Sequence, residues 1–143
     1  MHPAVEFVGS KLLGIHQFLY EKTDGRIGAS IGKRPMLLLR TVGAKTGKAR
    51  TSALLYVPHA EAYTVIASKG GDPKHPGWYH NLIAQPNVEV QVGRKRIPVR
   101  ARVSEGDERS TLWALADKVN HGGYENYQSK TDRKIPVVVL DLR

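Results

Sequence analysis

A short basic loop between two β-type runs constrains this chain more than any other stretch. Residues 36–42, MLLLRTV, and residues 50–57, RTSALLYV, are rich in leucine, β-branched and aromatic side chains, and the second run stops at Pro58. Both read as strands. Only GAKTGKA separates them, and a parallel crossover needs a dozen residues or more, so the pair is antiparallel. The chain is committed to a hairpin, Met36 to Val42 and Arg50 to Val57.

The same loop carries Lys45 and Lys48 around Gly43 and Gly47, which suggests phosphate binding. It is not a P-loop. That motif has four residues between its glycines, then Lys and Ser or Thr, and leads from a strand into a helix. Here only Ala44, Lys45 and Thr46 intervene, Ala49 stands where the hydroxyl belongs, and a strand follows. The loop does not support a nucleotide triphosphatase.

Further elements follow in order. Val5, Val8, Leu12, Ile15 and Leu19 recur at steps of three and four, which predicts an amphipathic helix within residues 1–22. Gly25, Gly28 and Gly32 connect it to the rest, residues 34–143. Tyr63 to Ser68 reads as a third strand, and Pro76 is suited to opening a short helix through Trp78 to Ala84. Val88 to Val92 and Ile97 to Val103 read as strands, with Pro98 placing the latter at an edge or at its first residues. Ser104 or Asp107 is positioned to cap a helix to Val119, and Ile135 to Leu142 is a last strand. About six strands with short turns and flanking helices predict a single α+β domain built as a small antiparallel barrel.

Composition bounds the chemistry. A chain of 143 residues without cysteine has no disulfide, thiolate metal site or cysteine nucleophile. The six histidines lack metal-ligand spacing, so no metal is expected. There is neither an N-terminal apolar h-region nor a run of about 18 apolar residues, and a cytoplasmic protein is the expectation. The 22 basic residues exceed the 13 acidic ones by nine, a balance that attracts polyanions. Basic residues gather at Lys33/Arg34/Arg40, Lys45/Lys48/Arg50, Lys69/Lys74 and Arg94/Lys95/Arg96, several beside loop glycines.

The hairpin TVGAKTGKAR, the turn ASKGG at 67–71, the segment HPGWYHNLIAQPNVEVQVG at 75–93 and the tail YENYQSKTDRKIPVVVL at 124–140 together resemble the deazaflavin-dependent nitroreductase family. The resemblance covers nearly all of the chain after about residue 24. It implies a six-stranded split β-barrel related to FMN-binding oxidoreductases. The implied cofactor is coenzyme F-420, an 8-hydroxy-5-deazaflavin whose reduced form donates hydride to quinones, nitroaromatics or unsaturated lactones. Other readings open on the residues are an FMN-binding protein of the same fold and a basic nucleic-acid-binding module.

By this resemblance Lys45 and Arg50, with amides around Ala44 to Thr46, hold the cofactor's phosphate, where arginine grips bidentately and lysine acts as a point charge. Ile66, Ala67, Ser68, Lys69 and Gly70 line the deazaflavin, and Gly77, Trp78, Tyr79, His80 and Asn81 at a helix start bind cofactor. Tyr124 and Tyr127 face the small-molecule acceptor as substrate and catalytic residues, and the proton it needs comes from one of them or from water. Gly122-Gly123 gives their segment freedom to move as a lid. His121 stands where relatives can have a third tyrosine, a departure that bears on acceptor choice. The apolar stripe of the N-terminal helix is expected to pack on the barrel; some relatives use this region as a peripheral membrane contact, for which Lys11 and Lys22 suit an anionic surface. The oligomeric state is not set by the sequence.

Overall fold

A computed structural model describes residues 30–31 and 34–143. The expected helix within residues 1–22 and the glycine connection after it lie outside the described residues. The strands are β1 (Ser30–Ile31), β2 (Arg34–Val42), β3 (Ala49–Leu55), β4 (Val57–His59), β5 (Ala62–Ile66), β6 (Asn87–Val92), β7 (Lys95–Val103) and β8 (Val137–Leu142). The helices are α1 (Gly77–Ala84), α2 (Gly106–Val119) and α3 (Gly123–Gln128), with a 3-10 turn at Lys69–Gly71. All strand pairs are antiparallel.

The predicted hairpin forms in register, from Met36↔Leu55 to Val42↔Ala49. Its second strand does not stop at Pro58. The chain bends at Tyr56, whose N–H donates to Pro35 O at 3.1 Å, and Val57–His59 continues as a strand against β5. Pro58 is tolerated because β4 ends the strand order, so no neighbour needs its missing N–H. The order runs β2-β6-β7-β8-β5-β4, with β3 on the other side of β2. Because β3 and β4 are one bent run, the two ends of the sheet meet at Tyr56. The six long runs expected are therefore present, with one shared between both ends and the short β1 added, and the α+β split barrel stands.

β2 and β8 read as unbroken apolar runs because both their faces are buried. Leu37 and Leu39 pack with Val65, Trp78, Leu82, Val90, Val138 and Leu140 in one cluster. Met36 and Leu38 face the other side, as Val137 and Val139 do with Leu112, Ala116 and Tyr124. Trp78 and Leu82, four apart, anchor α1, and Leu112 and Ala116 do the same for α2.

Two local expectations are corrected. Pro98 lies inside β7, which pairs on both sides. Its carbonyl accepts from Arg143 N–H at 3.2 Å, so its absent donor falls one residue past the end of β8, where no ladder bond is lost. Neither Ser104 nor Asp107 caps α2. The N-cap is Glu105 without a side-chain bond, and the Ser104 hydroxyl instead donates to Val137 O at 2.9 Å, stitching the helix start to β8.

Candidate functional site

The basic loop is rigidified from within and from α1. Gly43 N–H donates to Lys48 O at 2.8 Å and Gly47 N–H to Gly43 O at 2.9 Å, while Lys48 N–H reaches Thr46 Oγ1 at 3.2 Å. Gly47 sits at φ +69°, the left-handed region that glycine enters without cost. From α1, the buried Asn81 side chain donates to Thr41 Oγ1 at 3.0 Å and accepts from Ala44 N–H at 2.9 Å. The Ala44 amide is thus already engaged. Among the described residues the amides of Lys45 and Thr46 make no hydrogen bond. They border a cleft of about 490 Å³ whose lining includes Lys45, Thr46, Arg50, Thr51, Ser52, Gly77, Trp78, His80 and Asn81.

A second cleft of about 410 Å³ shares Trp78 with the first. Met36 and Ala53 to Leu55 line it, with Ile66, Ser68, Lys69 and Gly70 from the turn after β5 and Pro76, Asn120, Tyr124 and Tyr127 beside them. The first cleft is bordered by Lys45, Arg50 and free loop amides, and the second sets apolar and aromatic walls against the Ser68, Lys69 and Gly70 turn. Trp78, only 8% exposed, is both core anchor and common wall. The Tyr124 and Tyr127 rings lie edge to face at 6.3 Å. Among the described residues the Tyr127 hydroxyl has no hydrogen-bond partner.

Several predicted residues are not brought to these clefts. Ala67 is fully buried in the core, because its alternate position on the β5 path points away from Ile66. Tyr79 packs against the His75 ring at 4.6 Å and borders a separate small crevice with Leu82 and Val138. His121, exposed and at φ 54°, is outside the cleft, where Asn120 takes the place expected for it. The tyrosine segment is also no loose lid. Asp117 Oδ1 accepts from Tyr124 and Glu125 N–H at 3.0 and 3.1 Å, fixing the start of α3, and Gln128 ties its end to Ile135 N–H at 3.0 Å.

Sequence reasoning missed Arg133, whose guanidinium donates to the carbonyls of Ala67, Ser68 and Asp72 and to His75 Nδ1. Burial first, then the positive charges of Arg133 and His80, hold the His75 imidazole below its usual range. It also missed the half-buried leucines of β3 as the cleft floor. The run RTSALLYV marks a strand but carries no sign that its leucines stay half-buried.

A larger groove, about 530 Å³, lies between the β4–β5 turn and α2 and holds none of the predicted residues. Its Glu108 and Asp141 carboxylates are already bound by Arg102, while Thr64 Oγ1 in its lining is buried without a hydrogen-bond partner among the described residues.

The chain is similar to known proteins over most of its length. A curated F420H(2)-dependent quinone reductase of Mycobacterium tuberculosis is 51% identical over 139 residues, 95% of this chain and 93% of that protein. A solved F420-H2 dependent reductase is 49% identical, covering 76% of this chain and 95% of its own, with a TM-score of 0.68. A second solved structure, described as a domain-swapped dimer, is 43% identical and covers 87% of this chain and 98% of its own, with a TM-score of 0.70. The profile of one family, the F420H(2)-dependent quinone reductases, spans residues 12–141, and with these relatives beside it the chain belongs to that family.

Proposed function

We propose that this chain holds reduced coenzyme F-420 along the joined clefts and passes hydride to a quinone lying against Tyr124 and Tyr127. The observation that carries the assignment of sites is the meeting of two clefts at Trp78: one bordered by the free amides of Lys45 and Thr46 beside Arg50, the other combining apolar and aromatic walls with the Ser68, Lys69 and Gly70 turn. That pattern suits a molecule with an anionic tail and a flat ring. Of the readings open on the sequence, the deazaflavin-dependent oxidoreductase is the one that the family carries.

Arg50 and Lys45 flank the amides of Lys45 and Thr46, a set able to neutralise and orient a phosphodiester. The N-terminus of α1 opens beside them with Gly77 and Trp78, and its unpaired amides favour negative charge. Asn81 acts through the loop, by holding Thr41 and Ala44. Ser68, Lys69 and Gly70 bring backbone rather than bulk to the ring's edge. When bound, the reduced cofactor supplies a hydride and is restricted to two-electron steps. The protein contributes position and electrostatics, and the Tyr127 hydroxyl is placed to hold a proton at the acceptor's oxygen. The amphipathic pattern within residues 1–22 adds a peripheral contact with the membrane in which quinones dissolve, on its cytoplasmic side.

Trp78 provides the test, since it borders both clefts. Titrating the purified chain with oxidised F-420 quenches tryptophan fluorescence, and FMN does so far more weakly. Turnover of a soluble quinone with reduced F-420 follows. Micromolar FMN affinity with no deazaflavin binding overturns the reading.

A further inference from the structure

The turn that follows β5 is held by two bonds of its own and by a side chain from outside it. Lys69, Gly70 and Gly71 all sit at positive φ, at 45°, 63° and 84°, and for Lys69 this is a strained conformation. Its internal hydrogen bonds are Gly71 N–H to Ser68 O at 3.0 Å and Asp72 N–H to Lys69 O at 3.1 Å. Among the described residues the amides of Ser68, Lys69 and Gly70 have no partner, and all three residues border the aromatic cleft.

What grips the turn is one side chain from far along the sequence. Arg133 Nε donates to Asp72 O at 2.8 Å, Nη2 to Ser68 O at 2.7 Å and Nη1 to Ala67 O at 3.1 Å. Nη1 also meets His75 Nδ1 at 3.1 Å. Arginine has no acceptor, so that imidazole nitrogen is the unprotonated one. In a planar trans peptide the carbonyl of one residue and the N–H of the next point in opposite directions. By drawing the Ala67 and Ser68 carbonyls toward itself, Arg133 turns the Ser68 and Lys69 N–H groups away from itself. The arginine is held in turn by Gln128, which donates to Arg133 O at 2.7 Å from the end of α3. A side chain at Gly71 would meet Tyr127 O at 2.6 Å, so turn and α3 are pressed together.

We propose that Arg133 is a positioning residue, which presets the Ser68 and Lys69 amides as donors to the polar edge of the deazaflavin ring and fixes that wall relative to Tyr127. This rests on the cofactor reading above. The rigid fork of five donors matters, because a lysine ammonium is a single point and does not span carbonyls at both ends of the turn.

The test uses full-length Arg133→Ala and Arg133→Lys. In the cofactor-free proteins, amide hydrogen exchange within 67–72 should quicken in both while both melt cooperatively. Affinity for oxidised F-420, read by fluorescence, should fall roughly tenfold or more in both, as expected on losing charged hydrogen bonds. Millimolar methylguanidinium should restore part of the affinity of Arg133→Ala, and methylammonium should not, an outcome that general destabilisation does not give. If Arg133→Ala fails to fold, Arg133→Lys decides: wild-type exchange and wild-type affinity there overturn the proposal. If the wild type itself binds no deazaflavin, the cofactor reading fails and takes the ring contact with it, whereas quickened exchange in the variants still supports the clamp on the turn.

Discussion

Arg50 is exposed at the mouth of the loop cleft, opposite Thr41 across the hairpin. Removing a charge-assisted hydrogen bond costs about 1.5–3 kcal/mol, so Arg50→Ala should weaken deazaflavin binding by roughly 10- to 150-fold. Lys45→Ala should lose less, since a flexible ammonium is less committed to one geometry. Fluorescence titration measures both, and wild-type affinity in a folded Arg50→Ala places the phosphate elsewhere. At His75 the effect is on pH. Its folded-state affinity for protons lies below the ordinary histidine value of 6.5, chiefly through burial and then through Arg133 and His80. The unfolded chain therefore takes up the proton first. The stability tied to neutral His75 is complete above about pH 6.5 and drains away as pH falls from there through the folded value. His75→Asn keeps an acceptor near the Nδ1 position without the titration. Its denaturant midpoint should fall less than that of the wild type between pH 7 and 5, and parallel curves would remove His75 from the account.

The elements that matter are the hairpin loop, α1 and α3, and each is held by side chains that leave their own segment. Asn81 joins α1 to the loop through Ala44 and Thr41. Asn81→Leu keeps the volume but strands a buried hydroxyl and an amide, so it should cost about 1–3 kcal/mol of stability and loosen cofactor binding without touching Arg50. Equal denaturant midpoints would show that the clamp contributes nothing. On α3, Tyr127→Phe removes only a hydroxyl. If that group holds the proton, quinone turnover should drop about tenfold or more while deazaflavin affinity stays put, and unchanged turnover there and in Tyr124→Phe returns both rings to packing. The hairpin, α1 and most strands were legible because periodicity and turn chemistry are local. The bend at Tyr56 was not, since Pro58 looks like a stop until its edge position is known. Arg133 was invisible for a related reason: its carbonyl partners lie 61 to 66 positions away. Ala67, Tyr79 and His121 do not line the two clefts, because a motif names a stretch, whereas the side a residue faces depends on strand alternation and helix phase.

At the scale of the whole molecule, closure and charge act together. The bent run β3–β4 joins the two ends of the sheet, so the cleft floor of β3 and the turn after β5 are brought to one depression although they come from opposite ends of the strand order. Around that depression the chain carries a formal charge of +9, and Lys45, Arg50 and Lys69 are exposed at its rim. Exposed charges are screened over about 10 Å at 0.1 M salt and about 3 Å at 1 M. If the cofactor lies as proposed, its phosphodiester and glutamate tail meet charges in water, and deazaflavin affinity should weaken steadily across that range. On the same proposal the ring lies in the cleft lined by Trp78, Leu54 and the tyrosines, where apolar contact would not be weakened by salt. A truncated deazaflavin lacking the phosphate and tail should accordingly bind more weakly than the intact cofactor at low salt and show a flatter salt dependence. Arg50→Ala should flatten the slope for the intact cofactor in the same sense. Titrations at four salt concentrations with both ligands measure this directly, and equal slopes for the two ligands would mean that the positive rim does not hold the tail.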